Sequence, residues 1–165
     1  MAKVTTSGSR LASARDELVI AALLHDIGQI IPLESTKEVR MDLHESTENV
    51  GGVGHEAIGP SYLRALGFSE AVFRLVNSHV AAKWYLTATD RGYYESLSSA
   101  SQKSLAFQGG PFRDADKNFK EDPLRDDMVS LRLWDDVAKL EGVEAITPCA
   151  GVYLDMIIAH LLCKT

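Results

Sequence analysis

Apolar residues first gather between Leu18 and Leu24, an unbroken run of Leu, Val, Ile and Ala behind the acidic pair Asp16-Glu17. Acidic residues suit a helix N-terminus, so the run predicts a helix from about Asp16 to Asp26, with Gly28 as its stop. A helix this apolar on every side must be buried. His55 to Gly67 has the spacing of a short helix stopped by Gly67, with Pro60 near its start, where a proline does least damage. Ser69 and Glu70 open the next one, on which Val72, Leu75, Val76 and His79 follow at i, i+3, i+4 and i+7. That stripe puts His79 on the core side, with Lys83 one turn further along. Leu97 to Gln108 predicts another short helix, ended by Gly109-Gly110-Pro111, with Ser101, Ser104 and Gln108 on one polar stripe. Asp122-Pro123 reads as N-cap and first helical residue of a helix carrying Met128, Leu131, Arg132, Trp134 and Asp135, and closed by Gly142. Thr147-Pro148 opens the last, with Val152, Met156, Ile157 and Leu161 facing the core.

Between these segments the pattern dissolves. Met1 to Arg15 is polar and makes a weak lead-in, and Pro32 to Gly54 is charged, then Gly-rich. A loop longer than about 15 residues is uncommon in a compact domain and is often a binding loop or lid. The elements are nearly all helical, so the expected fold is all-α, in one domain over residues 1–165.

Composition changes little: 45% hydrophobic and 24% charged residues describe an ordinary globular protein. The 17 Lys and Arg against 23 Asp and Glu give a net charge of −6, which argues against a nucleic-acid surface and leaves a small anion as a possible ligand. No apolar run has transmembrane length, and no signal peptide is visible. Cys149 and Cys163 stand outside any C-x-x-C spacing, so the expected setting is reduced and cytoplasmic.

Charge inside an apolar frame is what points to chemistry. His25 and Asp26 end a buried helix, His79 faces the core, His55 sits at a loop-to-helix junction, and Asp135 shares a helix with core residues. Taken singly, His79 would more often be a satisfied core histidine, His55 a surface or capping residue, and the Ser101 stripe a solvated face. Taken jointly, several buried titratable groups without a counter-ion would cost kilocalories each. Nitrogen and oxygen donors without thiolate suit iron, manganese or another borderline divalent ion better than a structural zinc–cysteine site. Asp26 has the chemistry to bridge two ions.

The strings A-A-L-L-H-D-I-G, G-H-E-A-I-G, N-S-H-V-A-A-K, S-S-A-S-Q-K-S-L-A-F-Q-G-G-P and L-R-L-W-D, taken together, resemble the HD-domain superfamily. Within it the chain is most similar, from about Glu17 to Ala138, to the mixed-valent di-iron oxygenases of the 2-amino-1-hydroxyethylphosphonate dioxygenase type. The resemblance implies an HD-domain helical bundle around a buried metal site of two iron ions, Fe(II)/Fe(III). It places His25, Asp26, His55, His79 and Asp135 at the ligand positions, with Asp26 as the bridge. It also implies a pocket for a small anionic phosphonate, matched here by Lys83, Ser101, Ser104, Gln108 and Arg132, and a reaction with dioxygen that breaks the C–P bond to phosphate and a carboxylate. Gln29, in H-D-I-G-Q, stands where phosphonate-cleaving relatives often have histidine, bordering the substrate. The family has a further histidine ligand on a preceding helix, whereas no histidine precedes His25. Residues 1–15 thus read as the remnant of a truncated N-terminal helical region, with activity impaired by the lost ligand. The competing readings are an HD phosphohydrolase using Mn, Mg or Zn on a phosphate ester, and a catalytically silent HD-fold protein that binds a ligand.

Overall fold

The computed structural model describes residues 15–31, 55–107, 117–139 and 141–163. Every regular element among them is an α-helix or a 3-10 turn, so the fold is all-α as expected. The first helix, α1 (Asp16–Leu24), has Leu18 to Ala22 at 6% exposure or less, which leaves it no solvent side along that stretch. Arg15 pairs with Asp127, tying the start of α1 to a helix far along the chain. His25 still has helical dihedrals, and Asp26 then leads into a 3-10 turn, Ile27–Gln29. Gly28 is not the left-handed stop the sequence suggested. Among the described residues, positive φ occurs only at Gly67 and Gly142.

Gly28 matters through a close approach instead. On α2 (His55–Leu66), a Cβ added at Gly59 would lie 3.1 Å from Gly28 N and 3.4 Å from Gly28 Cα. The absence of a side chain at Gly59 lets α2 rest directly on the 27–29 turn. Pro60 lies inside α2 rather than at its first turn. Gly67, at φ 92°, ends the helix as expected: Phe68 N–H reaches Leu63 O (3.0 Å) and Gly67 N–H reaches Arg64 O (3.0 Å), the paired bonds of a Schellman cap.

Ser69 Oγ accepts the Val72 N–H at 3.4 Å and caps α3 (Glu70–Asn77), which buries Val72, Leu75 and Val76. The single helix expected through Lys83 breaks at Ser78. There the backbone N–H bonds back to Arg74 O (3.0 Å) and Leu75 O (3.3 Å), and the hydroxyl donates to Leu75 O (2.7 Å), so a serine competes with the helical ladder. His79 is therefore the first residue of a new helix, α4 (His79–Thr89).

A short helix the pattern did not reveal, α5 (Arg91–Ser96), is capped by Asp90 Oδ1 on Tyr93 N (3.2 Å). It is followed by α6 (Ser99–Phe107) and α7 (Lys117–Lys120). Helix α8 (Arg125–Val137) begins later than the Asp-Pro pair, because Asp122 Oδ1 takes the Leu124 N–H (2.8 Å) and caps a turn ahead of it. It also ends before Gly142, whose φ of 83° opens a separate 3-10 turn, Val143–Ala145. The last stretch winds as a 3-10 turn, Ala150–Tyr153, before α9 (Leu154–Leu162). Its winding of three residues per turn shifts Val152 off the expected stripe to 63% exposure, while Met156, Ile157 and Leu161 do pack against the core.

Ile20, Leu63, Val72, Leu75 and Leu131 are the largest fully buried side chains, one or two from each of α1, α2, α3 and α8. Around them α1 packs on α3, α8 and α9, α2 on α3, and α8 on α4. No helix among the described residues is long and apolar enough to cross a membrane.

Candidate metal centre

Three elements converge at one end of this core. The C-terminal end of α1 delivers His25, the first position of α4 delivers His79, and the inner face of α8 delivers Asp135. One ligand atom from each lies within 4.8 Å of the others. His25 Nδ1–H donates to Ala22 O at 2.9 Å, so a neutral ring keeps its lone pair on Nε2. That lone pair lies 3.3 Å from Asp135 Oδ1 and 3.5 Å from Asp26 Oδ2, and it has no hydrogen-bond partner. A lone pair facing carboxylate oxygens in a buried corner repels them unless a proton or a metal cation stands between. Burial opposes charge on His25, but the Asp135 contact, the Ala22 bond and Asp26 outweigh it and raise its pKa. The donor set therefore fits a divalent cation.

His79 behaves in the opposite way. Burial first, and then the Arg132 charge, push its pKa down to about 3. Its Nε2 lies 3.1 Å from Arg132 Nη1 and 3.7 Å from Asp135 Oδ2. A guanidinium only donates, so Nε2 accepts and the proton sits on Nδ1, which is buried and has no hydrogen-bond partner. The two imidazoles stand 5.3 Å apart between centroids.

Helix α8 and the turn that follows it supply the charge around them, with Arg132, Asp135 and Asp136 on the helix and Lys139 just past its end, at i, i+3, i+4 and i+7. Arg132 Nη1 is 3.0 Å from Asp135 Oδ2, and Lys139 Nζ donates to the same oxygen at 2.6 Å. Burial alone would raise the pKa of Asp135; His25, His79, Lys139 and Arg132 outweigh that and hold the carboxylate well below its usual range. Arg132 Nη2 pairs with Asp136 Oδ1, and its Nε donates to Tyr93 OH (2.9 Å) and Asp136 Oδ2 (3.2 Å). The Tyr93 hydroxyl in turn donates to Asp136 Oδ2 at 2.6 Å, and burial, followed by this bond, pushes its pKa up.

Of the residues singled out from sequence, His25, His79 and Asp135 meet, and Asp26 reaches the same corner with a side chain 45% exposed. His55 begins α2, which packs on the turn after Asp26; its side chain lies outside the described residues. Lys83 is buried one turn beyond His79, and Arg132 is 2% exposed within the network above. Ser101 is half-buried, its hydroxyl 3.1 Å from Ser98 Oγ, and Gln29 is exposed at the end of the 3-10 turn. Gln108 and the Ser104 side chain lie outside the described residues. Sequence reasoning missed Tyr93, Asp136 and Lys139. The helical spacing of Asp136 and Lys139 from Arg132 was the available signal; Tyr93 gave none, because its partners are on α8.

The HD-domain family profile matches residues 3–106. A hydroxymethylphosphonate dioxygenase of Gimesia maris is 36% identical over 137 residues, 82% of this chain and 64% of that protein. A 1-hydroxy-2-(trimethylamino)ethylphosphonate dioxygenase (glycine-betaine-forming) of Leisingera caerulea is 34% identical over 149 residues, 87% of this chain and 71% of that protein. An uncharacterised protein of Acanthamoeba polyphaga mimivirus is 32% identical over 151 residues, 89% of this chain and 64% of that protein. The chain thus spans from 64% to 71% of the length of these curated relatives. It belongs to the HD-domain family, and within that family to the group that holds the hydroxyphosphonate dioxygenases. Membership and the His25–His79–Asp135 cluster together point to a metal cofactor.

Proposed function

We propose that this chain is a single HD domain of a di-iron oxygenase that uses dioxygen to cleave the C–P bond of a small 1-hydroxyphosphonate, releasing phosphate and a carboxylate. The observation that carries the reading is the His25 Nε2 lone pair, fixed by Ala22 O and set against two carboxylates beside His79. The relatives' dioxygenase names support the chemistry, and the thiolate-free donor set supports iron. In this reading His25, Asp26, His55, His79 and Asp135 would hold two irons, Fe(II)/Fe(III), and Asp26 has the chemistry to serve both. Such a pair supplies one-electron and dioxygen chemistry that side chains lack. The chain's own part is binding and orientation. Lys83 and Arg132 bring positive charge to the phosphonate, Ser101, Ser104 and Gln108 bring directed hydrogen bonds, and Gln29 borders the substituent on C1. Lys83 and Arg132 are buried, where such contacts are worth more than at a surface. Cys149 and Cys163, both free and exposed, suit a reduced, cytoplasmic setting.

The test is iron analysis after anaerobic Fe(II) loading, followed by oxygen uptake and phosphate release with hydroxymethylphosphonate. Two irons per chain and oxygen-dependent phosphate release are the expected results. Folded protein that binds no iron, or that hydrolyses phosphate esters with Mn, Mg or Zn and consumes no oxygen, would replace this reading with a phosphohydrolase or a binding protein.

A further inference from the structure

Arg132 is a long side chain held at both ends of its guanidinium, and the two ends do different things. One edge, Nε and Nη2, is gripped by Asp136 through both carboxylate oxygens and by the Tyr93 hydroxyl. Tyr93 closes the triangle, accepting from Arg132 Nε and donating to Asp136 Oδ2 at 2.6 Å, so its hydroxyl has no other orientation to take. Neither Tyr93 nor Asp136 reaches the cluster of metal-ligating atoms itself. The other end, Nη1, lies 3.0 Å from Asp135 Oδ2 as an ion pair and donates to His79 Nε2 (3.1 Å). The second of these is conditional: a histidine nitrogen whose lone pair goes to a metal cannot also accept a hydrogen bond, so Nη1 then loses an acceptor while Nε and Nη2 keep their bonds to Asp136.

We propose that Tyr93 and Asp136 are positioning residues that aim Arg132, so that Nη1 holds the His79 lone pair in the metal-free protein and becomes a spare donor for an anion's oxygen once that lone pair is engaged. The proposal rests on the reading of the site as an anion-binding metal centre, and it adds the two residues that make Arg132 directional. A free guanidinium has several rotamers to lose on binding an anion; one clamped along its far edge has lost them in advance. The same clamp writes a signature into the metal-free protein, since it forces His79 into the Nδ1–H tautomer, the less common one for a free neutral histidine side chain.

Two measurements separate the clamp from the chemistry it serves. In metal-free protein, imidazole nitrogen NMR is expected to show His79 protonated on Nδ1 in the wild type, and Asp136→Asn and Tyr93→Phe are each expected to admit the Nε2–H form. In Fe(II)-loaded protein kept anaerobic, calorimetric titration with inorganic phosphate and with methylphosphonate is expected to weaken roughly 10-fold in each variant, about the worth of one charge-assisted hydrogen bond. A merely structural role would lower the melting temperature of Asp136→Asn and leave both readouts unchanged, and that result overturns the proposal. Tyr93→Phe keeps the ring and its packing, so it decides the matter if Asp136→Asn does not fold. If the tautomer shifts as expected while the loaded wild type binds neither anion, the clamp stands, and the anion half falls together with the oxygenase reading.

Discussion

On one side of the ligand cluster stands α1, packed dry from Leu18 to Ala22, with His25 steered by a single backbone carbonyl; on the other stands α8, where Arg132 and Asp135 are just as buried and yet charged. The two flanks hold the same corner by different physics. Dispersion and exclusion of water fix α1, so its weak point is a change of volume. Paired charges fix α8, so its weak point is the loss of one partner, which strands the other in a low-dielectric setting.

The most severe way to break the contrast is at the residue between the flanks. Asp26→Ala is expected to take the iron content of anaerobically loaded protein from a pair per chain to none; retained iron would remove Asp26 from the ligand set. Next, Arg132→Met removes the buried cation shared by Asp135 and Asp136, leaving them only the exposed Lys139, and is expected to cost about 3–5 kcal/mol in urea unfolding of the metal-free protein. A loss under about 1 kcal/mol would mean that α8 is held by its apolar face after all. On the α1 side, Ile20→Ala, at a residue with no exposure, should cost about 2–5 kcal/mol, whereas Ile158→Ala on α9, at 52% exposure, should stay within about 0.5 kcal/mol. Gly59→Ala gains helix propensity of about 1 kcal/mol but sets a methyl 3.1 Å from the backbone N of Gly28, which has no side chain to swing aside; a net loss of about 1–2 kcal/mol is expected by thermal unfolding.

Acidity sharpens the contrast most gently. Folded His79 refuses a proton down to about pH 3, while the unfolded chain accepts one near the ordinary value of 6.5. Between those two pH values the unfolded state therefore binds more protons, and stability falls as the pH drops, by at most about 1.4 kcal/mol per pH unit for one site. His25 has the reverse sign: its folded pKa is raised, so its contribution is present below 6.5 and is lost as the pH rises through the folded value. Asp135, depressed when folded, adds its own loss below the ordinary carboxylate range. Stability of the metal-free protein should peak near pH 6.5, and His79→Gln should flatten the acidic side by about one proton. An unchanged slope between pH 6.5 and the carboxylate range in that variant would rule His79 out as the source of the acid loss.

What the sequence disclosed follows from the same division. The α1 flank was legible because an all-round apolar run has one fate, and Gly67 and the Val72–Leu75–Val76 stripe were legible because local rules govern them. His25, His79 and Asp135 could be picked out as polar residues carried on buried elements. The break at Ser78 was hidden, since it depends on a serine re-bonding its own helix and leaves the hydrophobic period intact. Helix α5 has too little apolar spacing to announce itself, and with it Tyr93, the only member of the Arg132 clamp outside α8, stayed out of view. At the end of the chain the stripe was legible in Met156, Ile157 and Leu161, although α9, as apolar as α1, has no fully buried residue, because neighbours decide burial.

The contact between Gly28 and Gly59 ties the ancestry of two distant stretches of chain together. One belongs to the turn that follows His25 and Asp26, the other to the helix that begins at His55, and they meet backbone to backbone. The pair is one packing unit, because a side chain gained at Gly59 must be answered by a shift of the turn that holds Gly28. Enlarging Gly59 requires the turn beside His25 and Asp26 to be redrawn, so the room for change there is rationed by that turn and not by the helix.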